Sequence, residues 1–173
     1  LADKREAEAI SQYEAILAKD PNQVSSHMLL GTIHDMQKRY DLSEKHYRAA
    51  IEINPDFAPA ANNLAYLLST QDKNIDEAMM LARKAKEKLP NDPNVMDTLG
   101  WIYYKKGLYG NAVGEFTDSL EKIPDNPIVQ YHLGMAYYKK GDKGKAKDAL
   151  ERALSLDGKF DGADEARGVL AKL

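Results

Sequence analysis

Cysteine is absent from this chain of 173 residues, which excludes disulfides, thiolate metal sites and cysteine nucleophiles. Cysteine-free domains occur in reducing and oxidising compartments alike, so both the cytoplasm and the periplasm or envelope remain open as locations. A dominant charge sign is also missing: 24 lysines and arginines stand among 27 aspartates and glutamates, for a formal net charge of −3. Interleaved charge of this kind favours solubility rather than polyanion binding, and nucleic acid is not an expected partner. No apolar run approaches the length of a membrane span, and the opening LADKREAEAI is too charged for the apolar centre of a signal peptide. Direct membrane insertion is therefore not expected. The four histidines, His27, His34, His46 and His132, include no HExxH spacing and no pair at i, i+4, so neither a metal nor another cofactor is expected. Because the chain opens on Leu1 without a methionine, we expect a fragment of something longer.

What is present is repetition. LGWIYYKKG, from Leu99 to Gly107, returns as LGMAYYKKG from Leu133 to Gly141, with seven of nine letters identical. Sliding further finds Leu30-Gly31 and a Leu64-Ala65 variant, at spacings of 34, 35 and 34. Small residues follow at Ser43, Ala78, Ala112 and Ala146, then at Ala50, Ala85, Ser119 and Ala153, and each unit closes near Pro55, Pro90, Pro124 or Gly158. The units run 24–57, 58–92, 93–126 and 127–160. Within a unit the apolar spacing is helical twice over, with Met96, Leu99, Gly100 and Tyr103 on one face and Ala112, Phe116, Ser119 and Leu120 on another. Gly107 and Gly141 end the first helices in the left-handed region, and lysines in the last turn suit the helix dipole. Gly100 and Gly134, each costing a helix roughly 1 kcal/mol against alanine, let paired helices approach closely. Pro59, Pro93 and Pro127 fall in or near the first turn of the next unit.

These residues resemble the tetratricopeptide repeat, whose pattern is matched most fully by Met96, Leu99, Gly100, Tyr103, Ala112, Phe116, Ser119 and Pro124. The resemblance covers 24–160. Departures are Met96 in place of the frequent tryptophan, Ser43 and Ser119 in place of alanines, and His34 and Leu68 in place of tyrosine. One extra residue in the second unit, in or near STQDKN, is expected in its inter-helix turn. Residues 1–23, with Ala9, Tyr13 and Pro21, read as the second helix of a truncated repeat, and 161–173, with Ala163, Ala166, Leu170 and Leu173 inward, as a C-terminal capping helix. The resemblance implies an all-α, right-handed superhelical solenoid of antiparallel helix pairs. A wider resemblance, carried by ANNLAYLL, DTLGWIYYKKG and YHLGMAYYKKG, is to repeat segments of bacterial envelope lipoproteins of exosortase and exopolysaccharide systems.

In such arrays the first helices line a concave groove that receives an extended or helical peptide. Carried over, that face reads Thr32, Tyr66, Trp101 and Met135, flanked by Met28, Asn62, Asp97 and Tyr131 and by Asp35, Ser69, Tyr104 and Tyr138. Asn63, Thr98 and His132 lie beside it. Tyrosine and tryptophan supply contact area at low entropic cost, and asparagine can pair with a ligand's main chain. A plainer reading, held equally for Tyr104 and Tyr138, is that these rings fill gaps between repeats. The cations with which some family members clamp a terminal carboxylate are absent from the matching positions Met28, Thr32, Asn63, Asn94 and Thr98. The resulting expectation is a non-catalytic scaffold binding a protein or peptide in the groove. The alternative is a self-associating structural module of an envelope or exopolysaccharide-export assembly, joined through Ile10, Tyr13 or Leu17 left uncovered by the half-repeat. An enzyme is not expected, because the repeat pattern supplies no acid-base or metal cluster.

Overall fold

The computed structural model describes residues 2–173, with side chains from Arg5 onward; Leu1 lies outside the described residues. Among them stand ten helices and no strand: α1 (Ala2–Lys19), α2 (Val24–Met36), α3 (Tyr40–Ile53), α4 (Ala58–Thr70), α5 (Ile75–Lys88), α6 (Pro93–Lys105), α7 (Tyr109–Lys122), α8 (Pro127–Lys140), α9 (Lys143–Leu156) and α10 (Ala163–Leu170). The fold is an all-α helical repeat. Two compact units divide it, one ending at Lys88 and the other beginning at Leu89. In the first, α2 pairs with α3 and α4 with α5, while α1 packs on α2. In the second, α6 pairs with α7 and α8 with α9, and α10 rests on α8 and α9.

Local chemistry writes the helix ends. The Asp92 carboxylate accepts from the backbone N–H of Asn94 and Val95, at 2.8 and 3.3 Å, and the Asn126 side chain does the same for Ile128 and Val129, at 3.0 and 3.1 Å. A proline follows each cap, where its missing N–H costs nothing. At the other end, one position in every pair takes a positive φ: Lys38 at 58°, Asp72 at 50°, Gly107 at 75° and Gly141 at 91°. The turn from α4 to α5 holds four residues, Gln71 to Asn74, where the α2–α3 and α6–α7 turns hold three, and Asn74 takes a further positive φ of 23°. The α8–α9 turn holds two, and the helices on both sides of the four-residue turn are unbroken.

Packing within a pair is a knob set in a gap. Tyr47, Phe116 and Leu150, all 0% exposed, project from the second helices onto Gly31, Gly100 and Gly134. A Cβ on those glycines would lie 2.5, 2.6 and 2.7 Å from the facing side chain. In the α4–α5 pair the equivalent positions are Ala65 and Ala82, also fully buried: the knob is smaller and the gap is filled by a methyl. Ser119, at a position where alanine is usual, donates from Oγ to the Pro93 carbonyl at 2.8 Å, tying α7 to the start of α6.

His27 and His34 on α2 converge with His46 on α3, an arrangement that their sequence spacing did not reveal. His27 Nε2 lies 3.1 Å from the Pro21 carbonyl and must donate to it, so in the neutral ring Nδ1 accepts from His46 Nδ1, 3.0 Å away. His34, 4% exposed, stacks on His46 with ring centroids 5.6 Å apart, and its Nδ1 has no hydrogen-bond partner. Burial, then the neighbouring His27, His34 and Lys45, pulls His46 down to about 4. His34 is lowered by burial and by Arg39, against the opposing pull of Glu14. A depressed histidine stays neutral in the folded chain while the unfolded chain takes up protons, so stability is lost as pH falls from about 6.5 towards 4. The unfolding free energy measured in urea should therefore drop over that window, by roughly 1–2 kcal/mol for the cluster. In His46→Gln most of that loss should vanish; a wild-type slope persisting unchanged in the variant would place its origin elsewhere.

Candidate functional site

The expected face is best followed within each unit. In the first, Thr32, Asn62 and Asn63 are joined through the hydroxyl of the buried Tyr47. Asn63 Nδ2 donates to Tyr47 at 3.3 Å, Tyr47 donates to Thr32 Oγ1 at 3.4 Å, and Thr32 donates to the Met28 carbonyl at 3.1 Å. Asn62 Nδ2 donates to Asn63 Oδ1 at 3.3 Å, but Asn62 is only 7% exposed and its own Oδ1 lacks a partner. Burial raises the Tyr47 phenol above its ordinary range, so it remains a protonated donor in this chain of bonds. Tyr66, half-buried, stands one turn further along α4. This part of the face consists of the Asn63 amide and the Thr32 hydroxyl held in fixed orientation on α4 and α2, with Tyr66 beside them and the Asn62 amide buried beneath.

In the second unit Trp101 is the centre. Its ring stacks on His132, with centroids 4.2 Å apart, and on Tyr104, at 4.9 Å. His132 is fixed in turn by Asp97, whose Oδ1 accepts from Nδ1 at 2.8 Å. The order of assembly is clear: α6 supplies Asp97, Trp101 and Tyr104 at i, i+4 and i+7, and α8 inserts the imidazole between the carboxylate and the indole. Lys105 lies over the indole at 5.6 Å, within cation–π range. The indole Nε1–H is buried and has no acceptor in the protein. Tyr104 is pushed up to about 12 by burial, then by Glu165 and Tyr109, and so stays a neutral phenol.

Tyr131 and Met135, expected on the open face, are closed over at 4% and 2% exposure. The cause is α10. Ala163, Ala166 and Val169 of that helix, with Phe160 before it, share a core with Tyr131, Met135, Leu150 and Ala153. Glu165 accepts a 2.7 Å hydrogen bond from the Tyr131 hydroxyl. Tyr104 and Tyr138 pack against the edge of this core and keep part of their surface exposed, so filling is one of their tasks. His132, placed at the flank by sequence, is at the centre. The signal that could have found it is the carboxylate Asp97, one repeat earlier and one row across.

Chemically this face offers aromatic planes, oriented amides and neutral donors. Among the described residues no group of three histidines or carboxylates is placed to hold a metal ion. No helix among them is long and apolar enough to cross a membrane.

Comparison with known proteins gives one family. Models of the tetratricopeptide repeat match residues 5–58, 46–80 and 127–160. The TPR repeat-containing protein PA4667 of Pseudomonas aeruginosa is 40% identical over 78 residues, 44% of this chain and 13% of that protein. Among solved structures, PilW, a widely conserved type IV pilus biogenesis factor, superposes with a TM-score of 0.79 at 21% identity, over 99% of this chain and 84% of that one. TTC0263, a thermophilic TPR protein of Thermus thermophilus, gives 0.73 at 16% identity, over 99% and 91%. YrrB, a TPR protein with an unusual peptide-binding site, gives 0.69 at 18% identity, over 96% and 86%.

Proposed function

Because the chain belongs to the tetratricopeptide-repeat family, we propose that it is a non-catalytic scaffold whose first-helix faces hold a partner peptide or protein. The observation that carries this reading is the Trp101 stack. A partly exposed indole is held rigid by stacking on Tyr104 and His132, so the surface it does present is available without the entropic cost of ordering a free side chain. Asp97, Tyr104 and Tyr138 complete the face in the second unit, and Thr32, Asn63 and Tyr66 form its counterpart in the first. Tyr131, Met135 and Asn62 support these residues from below. YrrB, a TPR protein with an unusual peptide-binding site, has the same fold.

The experiment is capture of partners from cell lysate and envelope fractions with the intact chain and with Trp101→Ala, followed by titration of whatever is captured. Truncating a central aromatic anchor costs about 2 kcal/mol or more, so affinity should fall at least about 30-fold while helicity is kept. Trp101→Phe, which keeps a ring in the stack, should lose much less. Unchanged affinity in a folded Trp101→Ala variant would falsify the assignment.

A second reading is self-association within an envelope assembly; Ile10, Tyr13 and Leu17, expected to be uncovered, are partly buried, and the exposed apolar side chains on α1 and α2 are instead Ile16 and Leu29, at 42% and 41%. Leu29 occupies the position at which His132, covered by α6, is 3% exposed. Light scattering over a concentration series separates the two, since a scaffold of the first kind keeps a constant mass.

A further inference from the structure

The lysines that look like ordinary helix ends in sequence are gathered by the second unit onto one edge. α6 and α8 run in the same direction, each doubling back into its partner, so the turn after α6 and the turn after α8 emerge side by side. Lys105, Lys106, Lys139, Lys140, Lys143, Lys145 and Lys147 are all exposed there. Between 105 and 109 and between 139 and 147 the sole carboxylate is Asp142, giving seven lysines and one aspartate a formal charge of +6, with Lys147 also pairing at 3.8 Å with Glu151 one turn further along α9. The other 17 cations and 26 carboxylates leave the rest of the chain at −9. The first unit's matching turns are mixed instead, with Lys73 within 3.4 Å of Asp41 and 3.2 Å of Glu44.

Helix stability explains only part of this edge. Lysines in the last turns of α6 and α8 are favoured by the helix dipole, but Lys143 and Lys145 sit in the first turn of α9, where a cation is disfavoured and no acidic residue is present. Asp142 offsets them in part, capping α9 through the Lys145 N–H at 3.2 Å and pairing with the Lys145 ammonium at 3.4 Å. An apolar and aromatic component is interleaved with the charge. Leu108, 45% exposed, stands at the tip of the α6–α7 turn beside Tyr109, whose ring meets Tyr104 at 5.7 Å, and Lys145 lies over Tyr137 at 5.4 Å.

We propose that this edge docks the protein on an anionic lipid surface, with the lysines among the headgroups and Leu108 and Tyr109 at the interface. The chemistry favours a bilayer over an acidic peptide on two grounds. All seven cations are lysine, a compact, strongly hydrated point charge on a flexible stem, whereas bidentate recognition of individual carboxylates calls for arginine. Most of them also crown the tips of turns together with an exposed leucine and partly buried tyrosines, the combination that partitions to a membrane interface without spanning it. This inference does not rest on the Trp101 face.

The test is co-sedimentation of the full chain with vesicles of phosphatidylglycerol and phosphatidylcholine, with phosphatidylcholine vesicles alone as the neutral control. Binding is expected to the anionic vesicles only, and should be lost near 0.5 M salt, where the Debye length is only about 4 Å. Each lysine near such a surface is worth about a fivefold change in partition, so Lys139→Gln with Lys140→Gln should weaken binding about 30-fold. Lys143→Gln with Lys145→Gln should do the same, and these exposed changes leave the helices intact by circular dichroism. Lys19→Gln with Lys45→Gln, in the first unit, should have little effect. Equal binding to neutral vesicles, or anionic binding insensitive to the edge lysines, overturns the proposal. So does salt-sensitive capture of poly-glutamate without vesicle binding, which would assign the edge to an acidic polypeptide.

Discussion

Phe116→Ala will lower the stability of the second unit by about 3–5 kcal/mol, the range found when a large buried aromatic is truncated in a close-packed interior. The ring is 0% exposed, lies in contact distance of Gly100, and meets the His132 ring at 5.5 Å. Its core includes Ala112, Val129 and Ala136, with Trp101, Tyr103 and Leu120 packed around it. The backbone cannot close readily over the vacancy, because α6 and α7 are already joined by a three-residue turn and by the Ser119–Pro93 hydrogen bond. Loss of the ring also removes the floor beneath His132, so the Trp101 stack should loosen as stability falls. Urea denaturation followed by tryptophan fluorescence reads both effects from the one indole; a loss below about 1 kcal/mol would show that the ring is not the knob that closes the pair.

Gly100→Ala should destabilise the same unit by about 1–3 kcal/mol, against the gain of roughly 1 kcal/mol that alanine brings to an exposed helical glycine. The added Cβ would stand 2.6 Å from the Phe116 Cε1, on a ring with no free side towards which to move. Gly114→Ala is the internal comparison: nothing lies within 4 Å of its Cβ position, and it should stabilise. The sharper expectation concerns the pair of sites. In a Phe116→Ala background, Gly100→Ala becomes stabilising, because the methyl enters space that the ring has vacated and the helix keeps its propensity gain. The α4–α5 pair already contains this combination, at Ala65 and Ala82. A double-mutant cycle reports the change of sign; simple additivity of the two losses would mean that ring and glycine do not share one packing volume.

The repeat was legible because close helix packing demands small residues and breakers at fixed places, and a period of 34 or 35 residues exposes such demands wherever they recur. Helix pairing, the left-handed glycines, the proline caps and the four-residue turn all follow from local chemistry that a sequence carries in plain order. The face was legible only in outline. Trp101 and Tyr104 could be placed on one side of α6 by helical spacing, but the Asp97–His132 contact joins residues 35 apart on different helices. The closure of Tyr131 and Met135 depends on where α10 comes to rest, which its own amphipathic pattern does not specify. The histidine cluster was hidden for the same reason: His27 and His34 are two turns apart on α2, and His46 reaches them from the facing helix.

Lys38 and Asp72 hold left-handed turns that Gly107 and Gly141 fill in the second unit. A side chain in that conformation costs about 1–2 kcal/mol, so the first unit carries a backbone strain that the second lacks. Repeat arrays open in steps, each governed by its own pair and the neighbouring interfaces. Amides of α2 to α5 should therefore exchange with solvent sooner than those of α6 to α9, giving the molecule a soft unit and a stiff unit. The tryptophan and the lysine edge both belong to the stiff one, where a grip can persist while the rest of the chain breathes.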